Sequence, residues 1–208
     1  MKENEVYYIN QKDYNCEDIF FKLKDLPVFE FIRPGMTVLL KPNLIRESHE
    51  FKEEEWVQVI TNGAVIFAVA RVVIRKLNGM GKIIVADGPE FSSDIEKIKT
   101  IIWIEQIEKL CNENNIQFEF IDLRDFYTKV LGEIKVSTTK LKGDPRGSVL
   151  FNLKNDASEF WGHKKEGMLY WGADYDIDEI NKAHNGRYNI YKVSKSVLES
   201  DVFINLPK

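Results

Sequence analysis

Three stretches of this chain are apolar at nearly every position and then turn polar at once: "VLLKPN" (38 to 43), "IIVADGP" (83 to 89) and "VFINLPK" (202 to 208). A short continuous apolar run bounded by turn residues predicts a strand buried on both faces, as in a parallel sheet. The first run shows how such a strand should end. Pro42 holds Lys41 extended, donates no backbone hydrogen bond itself, and hands the chain to Asn43, a residue suited to turns. Further strands are expected at "EVYYI" (5 to 9) and "IQFEFIDL" (116 to 123). Helical patterns lie between them. Asn15 caps "NCEDIFFKLKDL" (15 to 26), which has acids in its first turn. A long pattern runs from about Glu54 to Leu77, with "TNG" at 61 to 63 as its point of interruption and Asn78–Gly79 as its stop. Behind Asp94, Ile98, Ile101, Ile104, Ile107 and Cys111 recur at three- and four-residue steps. Strands alternating with helices predict an α/β fold, a mostly parallel sheet with helices on both faces in Rossmann-like layering.

The pattern changes after residue 125. From 126 to 187 there is weak alternation ("EIKVST", "SVLFNL"), then the aromatic, glycine and charge-rich "EFWGHKKEGMLYWGADYDIDE". This predicts an irregular, partly antiparallel insertion within a single α/β domain spanning 1 to 208. "YNIYKVS" (188 to 194), a short helix near "SKSVLES" and the strand "DVFINLPK" return to the α/β pattern, and Ser196 with Glu199 has capping-box spacing.

Composition narrows the function classes. A chain of 208 residues with 44% hydrophobic and 30% charged residues can bury a core and is not a disordered one. A net charge of −4 argues against a general nucleic-acid binder, which needs a dense basic face. The longest apolar run, "AVIFAVA" (64 to 70), is too short to span a bilayer, and "MKENEVYYIN" lacks the apolar core of a signal peptide. Two distant cysteines, Cys16 and Cys111, fit a reducing, cytoplasmic compartment and provide neither a disulfide framework nor an iron–sulfur motif.

The strand ends carry the candidate chemistry. In open α/β sheets, ligands bind outside the carboxyl ends of the strands, near a switch in strand order. If the three runs are neighbours, Lys41, Asn43, Asp87, Asn205 and Lys208 gather on one rim. Any one such turn is an ordinary strand terminus; three carrying lysine, asparagine and aspartate suit a carboxylate or phosphate. Asp87 would orient a hydroxyl, coordinate a divalent ion or act in acid–base work. His163 in "FWGHKK" is the histidine candidate for catalysis, on a loop able to close over a polar ligand. The surrounding Phe160, Trp161, Tyr170, Trp171 and Tyr175 serve equally as the insertion's own small core. "NGMGK" (78 to 82) precedes a strand instead of following one, so it fails the dinucleotide fingerprint. Asp174, Asp176 and Asp178 have calcium-loop spacing, but Glu179 stands where that loop needs glycine and Asn185 where it needs glutamate. The sequence assigns no metal and no cofactor.

At these same turns the chain resembles the bacterial and archaeal family catalogued as "domain of unknown function 362". The resemblance rests on Lys41-Pro42-Asn43, on the Thr61-Asn62 pair opening a helix, on Asp87-Gly88 and on "INLPK" at 204 to 208. It runs from about Arg33 onward, and "GDPRGSVLFNL" and "YWGADYD" look like a branch found among surface-polysaccharide genes. The resemblance implies a longer protein, so truncation at the carboxyl end is expected, with exposed hydrophobic surface and dye binding in the isolated chain. The leading expectation is an enzyme, or the amino-terminal part of one, acting on a small anionic or sugar-derived metabolite. The alternative is a non-catalytic accessory protein that uses the aromatic insertion to contact a protein partner.

Overall fold

The computed structural model describes residues 5–49, 51–52, 55–132, 134–153, 177–185 and 188–208. The chain divides into two compact units, one formed by residues 1–145 and 199–208 and the other by 146–198.

The first unit is built on a parallel sheet of β1 (Thr37–Pro42), β2 (Lys82–Asp87), β3 (Gln117–Asp122) and β8 (Val202–Leu206), in the order β3-β2-β1-β8. Its register sets Leu40 beside Val85 and Ile204, and Lys41 beside Asn205. Helix α1 (Cys16–Leu23) is capped by Asn15, whose side chain accepts from the amides of Glu17 and Asp18. Helix α2 (Gly63–Leu77) leads from β1 to β2; α3 (Ile95–Ile101) and α4 (Ile104–Glu113) lead from β2 to β3. Both connections step across the sheet in the same direction, so right-handed crossovers bring their helices to one face. The side chains agree. Val38, Leu40, Ile83 and Val85 form one apolar cluster with residues of α1, α2, α3 and α4. Leu39 and Ile84, which alternate onto the opposite face, are buried as well, at 0% and 1% exposure. Burial on both faces is what makes these strands read as unbroken apolar runs.

Local chemistry fixes the helix ends. The helical pattern expected from Glu54 begins at Gly63, because Asn62 is extended and its side chain accepts from the Ala64 amide, making it the N-cap. Asn78 stops α2 in the left-handed conformation (φ 47°). The isoleucine stripe from 98 to 111 occupies two helices, broken where Trp103 turns left-handed (φ 63°). The stretch "EVYYI" is not a strand: residues 5 to 9 carry no ladder, and Val6 and Tyr8 are about nine-tenths exposed.

A hairpin of β4 (Phe126–Leu131) and β5 (Ile134–Lys140) completes the first unit. The second unit holds α5 (Ile177–Ala183) and an antiparallel pair, β6 (Ser148–Asn152) with β7 (Ile190–Ser194), followed by α6 (Lys195–Leu198). "YNIYKVS" therefore belongs to an antiparallel pair and not to the parallel sheet; a strand's own pattern does not name its partner. The cap of α6 also differs from the expected one. The Ser194 hydroxyl accepts from the Val197 amide, while Ser196 accepts from the Arg146 guanidinium. No helix among the described residues is long and apolar enough to cross a membrane.

Burial of Cys111, on α4, in the apolar core pushes its thiol up to about 12, because a thiolate there would lose its hydration, with Glu108 adding repulsion. The raised value favours the protonated folded state. Its contribution is complete below the unfolded thiol's range and is lost as pH rises toward 12. At pH 10 the loss is about 1.4 kcal/mol. Denaturant titrations of the parent and Cys111→Ala should show that alkaline decline only in the parent.

Candidate functional site

The carboxyl ends of β1, β2 and β8 lie side by side, with β1 in the middle. From β1 the chain steps one way to β2 and β3; β8 joins on the other side. The reversal of strand order therefore falls between β1 and β8, the position where open α/β sheets leave a crevice.

Lys41 and Asp87 meet there. The Lys41 ammonium lies 2.9 Å from Asp87 Oδ1, with the lysine side chain about one-third exposed and the aspartate 11% exposed. The other carboxylate oxygen, Oδ2, accepts the Leu44 amide at 2.7 Å. Asp87 thus ties the turn after β1 to the end of β2 and holds the ammonium at the rim. These two bonds make Asp87 an anchor, and each oxygen keeps a further lone pair, so they do not bar acid–base work. Lys41 Nζ also donates to the Pro42 carbonyl at 3.3 Å. An ammonium carries three protons, so beside these partners among the described residues one remains to offer a ligand.

The other sequence candidates divide. Asn43 is held by its backbone: its amide donates to Thr61 Oγ1 at 2.8 Å, and its carbonyl accepts the Thr61 amide at 2.9 Å. Asn205 is exposed and stands in register with Lys41 on the neighbouring strand. Lys208 is drawn elsewhere, to the Tyr14 hydroxyl at 3.3 Å and over its ring. Tyr14 belongs to the wall of an apolar cavity of about 520 Å³ formed with Ile19, Val65, Ile204 and Leu206. No contact among the described residues joins Lys208 to the Lys41–Asp87 pair. His163 lies outside the described residues, as do Phe160, Trp161, Tyr170, Trp171, Asp174, Tyr175 and Asp176. His49 Nδ1 accepts the Phe51 amide, and His184 pairs with Asn189, so both have local structural partners. No group of three or more His, Cys, Asp or Glu among the described residues is arranged to hold a metal ion.

Two supporting elements escape a residue-by-residue reading. Thr61 sits at the start of α2, and besides accepting from Asn43 it donates to the Leu206 carbonyl at 2.6 Å. One hydroxyl therefore joins the ends of β1 and β8 to a helix start. Arg124 is buried just past β3. It grips Asp122 through Nε and Nη2 (2.7 to 3.1 Å) and donates through Nη1 to the carbonyls of Glu90 and Ser93 at 2.9 and 3.0 Å. Those carbonyls belong to the turn that bears on the segment after β1. The Glu90 amide and the Ser93 hydroxyl both donate to the Ile45 carbonyl, and the Asp94 amide donates to Glu47. The rim is a laced cradle of residues 43 to 47 and 87 to 94. The sequence pointed to Asn43, Asp87 and the Thr61-Asn62 pair, but not to the bonds of Thr61 or to Arg124.

Comparison with protein-family models, curated proteins and solved structures finds no match.

Proposed function

We propose that the rim at the carboxyl ends of β1, β2 and β8 binds a small anionic or sugar-derived metabolite, and that the chain is an enzyme, or part of one, acting on it. Lys41 would be the ligand's cationic contact, Asp87 the group that positions Lys41, and Asn205 a neighbouring amide. The observation that carries this reading is the Lys41–Asp87 pair, held at 2.9 Å beside the reversal in strand order. A lysine anchored by one carboxylate and still partly exposed is poised, not neutralised by surroundings on every side. The segments that carry the resemblance to the "domain of unknown function 362" family support the same reading. Asn43, Thr61, Asp87 and Leu206, one from each, belong to a single hydrogen-bonded end of the sheet. The free thiols of Cys16 and Cys111 favour a cytoplasmic setting.

Thermal-shift screening with sugar phosphates, nucleotide sugars and hydroxy acids tests the proposal. At least one class should stabilise the chain, and Lys41→Ala should weaken its binding about 10- to 100-fold, the loss of one charge-assisted hydrogen bond. Ligand shifts of unchanged size in Lys41→Ala would reject the site.

A further inference from the structure

The cradle walls a second feature. Past the Lys41–Asp87 pair, Arg46, Glu47 and Ser48 face Trp56 and the α3 residues Lys97 and Thr100 across a cavity of about 680 Å³. That is within the range of small-metabolite sites. Its lining is chemically mixed in a specific way. Among the described residues, Arg46 Nε is buried with no hydrogen-bond partner; Glu90 Oε2 is 3.6 Å away, an ion pair too long to be a hydrogen bond. Leaving such a donor dry costs free energy that a bound acceptor would recover. Lys97 is exposed and makes no ion pair among the described residues. Two cations with unused donors favour an anion. Glu47 lines the same cavity and opposes a second anionic group, but it accepts the Asp94 amide and can accept from hydroxyls too. The Thr100 hydroxyl donates to the Glu96 carbonyl and keeps its lone pairs free. Trp56 is half-buried, packed against the core, and contributes an aromatic wall.

We infer that this cavity is the part of the site that selects the ligand: it takes a hydroxylated metabolite with one phosphate or carboxylate. The anionic group is held by Arg46 and Lys97, the hydroxyls by Glu47, Ser48 and Thr100, and the carbon skeleton lies against Trp56. The inference rests on the reading of the carboxyl-end rim as the binding face. It adds which chemistry the ligand carries and where its charge sits. A neutral sugar leaves the Arg46 donor unmet, and inorganic phosphate forgoes the Trp56 wall, so each binds more weakly than their combination.

Calorimetric titration of the full chain with glucose 1-phosphate, glucose and inorganic phosphate tests this. Glucose 1-phosphate should bind at least 10-fold more tightly than either fragment. Arg46→Gln and Lys97→Gln should each weaken it about 10-fold or more, as expected for loss of a charged hydrogen bond. Lys97 is exposed and makes no ion pair among the described residues, so its variant reports binding without a folding defect. If Lys97→Gln and Arg46→Gln weaken binding but Lys41→Ala does not, the cavity assignment holds and the Lys41 role falls. The reverse pattern keeps Lys41 and overturns the cavity assignment. Failure of all three probes to bind, or equal affinity for phosphate and glucose 1-phosphate, overturns the inference as well.

Discussion

Arg124→Met is expected to cost about 4 kcal/mol, the range for removing one partner of a buried ion pair. In a chain of this size that corresponds to a fall of about 8 to 16 °C in the thermal midpoint. The size follows from what is left behind. The Arg124 side chain is 6% exposed and that of Asp122 is 20% exposed. Without the guanidinium, Asp122 keeps a charge with no cation beside it, and the carbonyls of Glu90 and Ser93 each lose a donor. Methionine preserves much of the volume, so the loss reports the polar network and not a cavity. Asp122→Leu combined with Arg124→Met should recover part of the cost, because the unpaired carboxylate goes too. A cost below about 1 kcal/mol, typical of solvated pairs, would show that the turn from 90 to 93 stands without this clamp.

Asp87→Ala should cost about 3 kcal/mol and lose ligand binding with it. Asp87 serves two partners, and alanine orphans both: the Leu44 amide in the interior and the Lys41 ammonium at the rim. Asp87→Asn separates the two contributions. Its amide oxygen can still accept from Leu44, so roughly half the stability should return. Its uncharged amide no longer fixes Lys41, so affinity should stay low. Urea denaturation measures the first effect, and titration with the strongest stabilising compound measures the second. Equal affinity in the parent and Asp87→Asn would mean that the carboxylate does not position Lys41.

Much of the fold could be read from the sequence, for identifiable reasons. β1 and β2 are covered on both faces at their centres, so their apolar runs carry no competing pattern; β8, expected to be buried in the same way, is covered on one face only, with Phe203 47% exposed, because it is the edge strand of the sheet. Asn15, Asp94 and Asn78 mark helix ends because their side chains or conformations satisfy backbone groups that nothing else reaches. What failed depended on partners distant in sequence. "EVYYI" has the composition of a strand but no neighbour to pair with, and "YNIYKVS" found its neighbour in β6. The break at Trp103 needs a left-handed backbone at a bulky residue, which no sequence rule anticipates.

The site divides along the same line. That Lys41, Asp87 and Asn205 end neighbouring strands follows from pattern and fold class. That Asp87 holds Lys41 and Leu44 at once depends on strand register, and that Lys208 leaves for Tyr14 depends on the path of residues 5 to 14. Arg124 carried no signal, since arginine is ordinarily a surface residue and only its unusual burial reveals the clamp.

Hydrogen–deuterium exchange in the presence of the strongest stabilising compound tests the proposed rim most directly, because it reports where the compound sits. Slowed exchange is predicted at the amides of residues 43 to 48, at 61 to 64 where α2 begins, and across 87 to 94. Exchange unchanged in those segments, with protection confined to residues 9 to 14 and 204 to 206, would contradict the account and move the binding site to the apolar cavity lined by α1, α2 and β8.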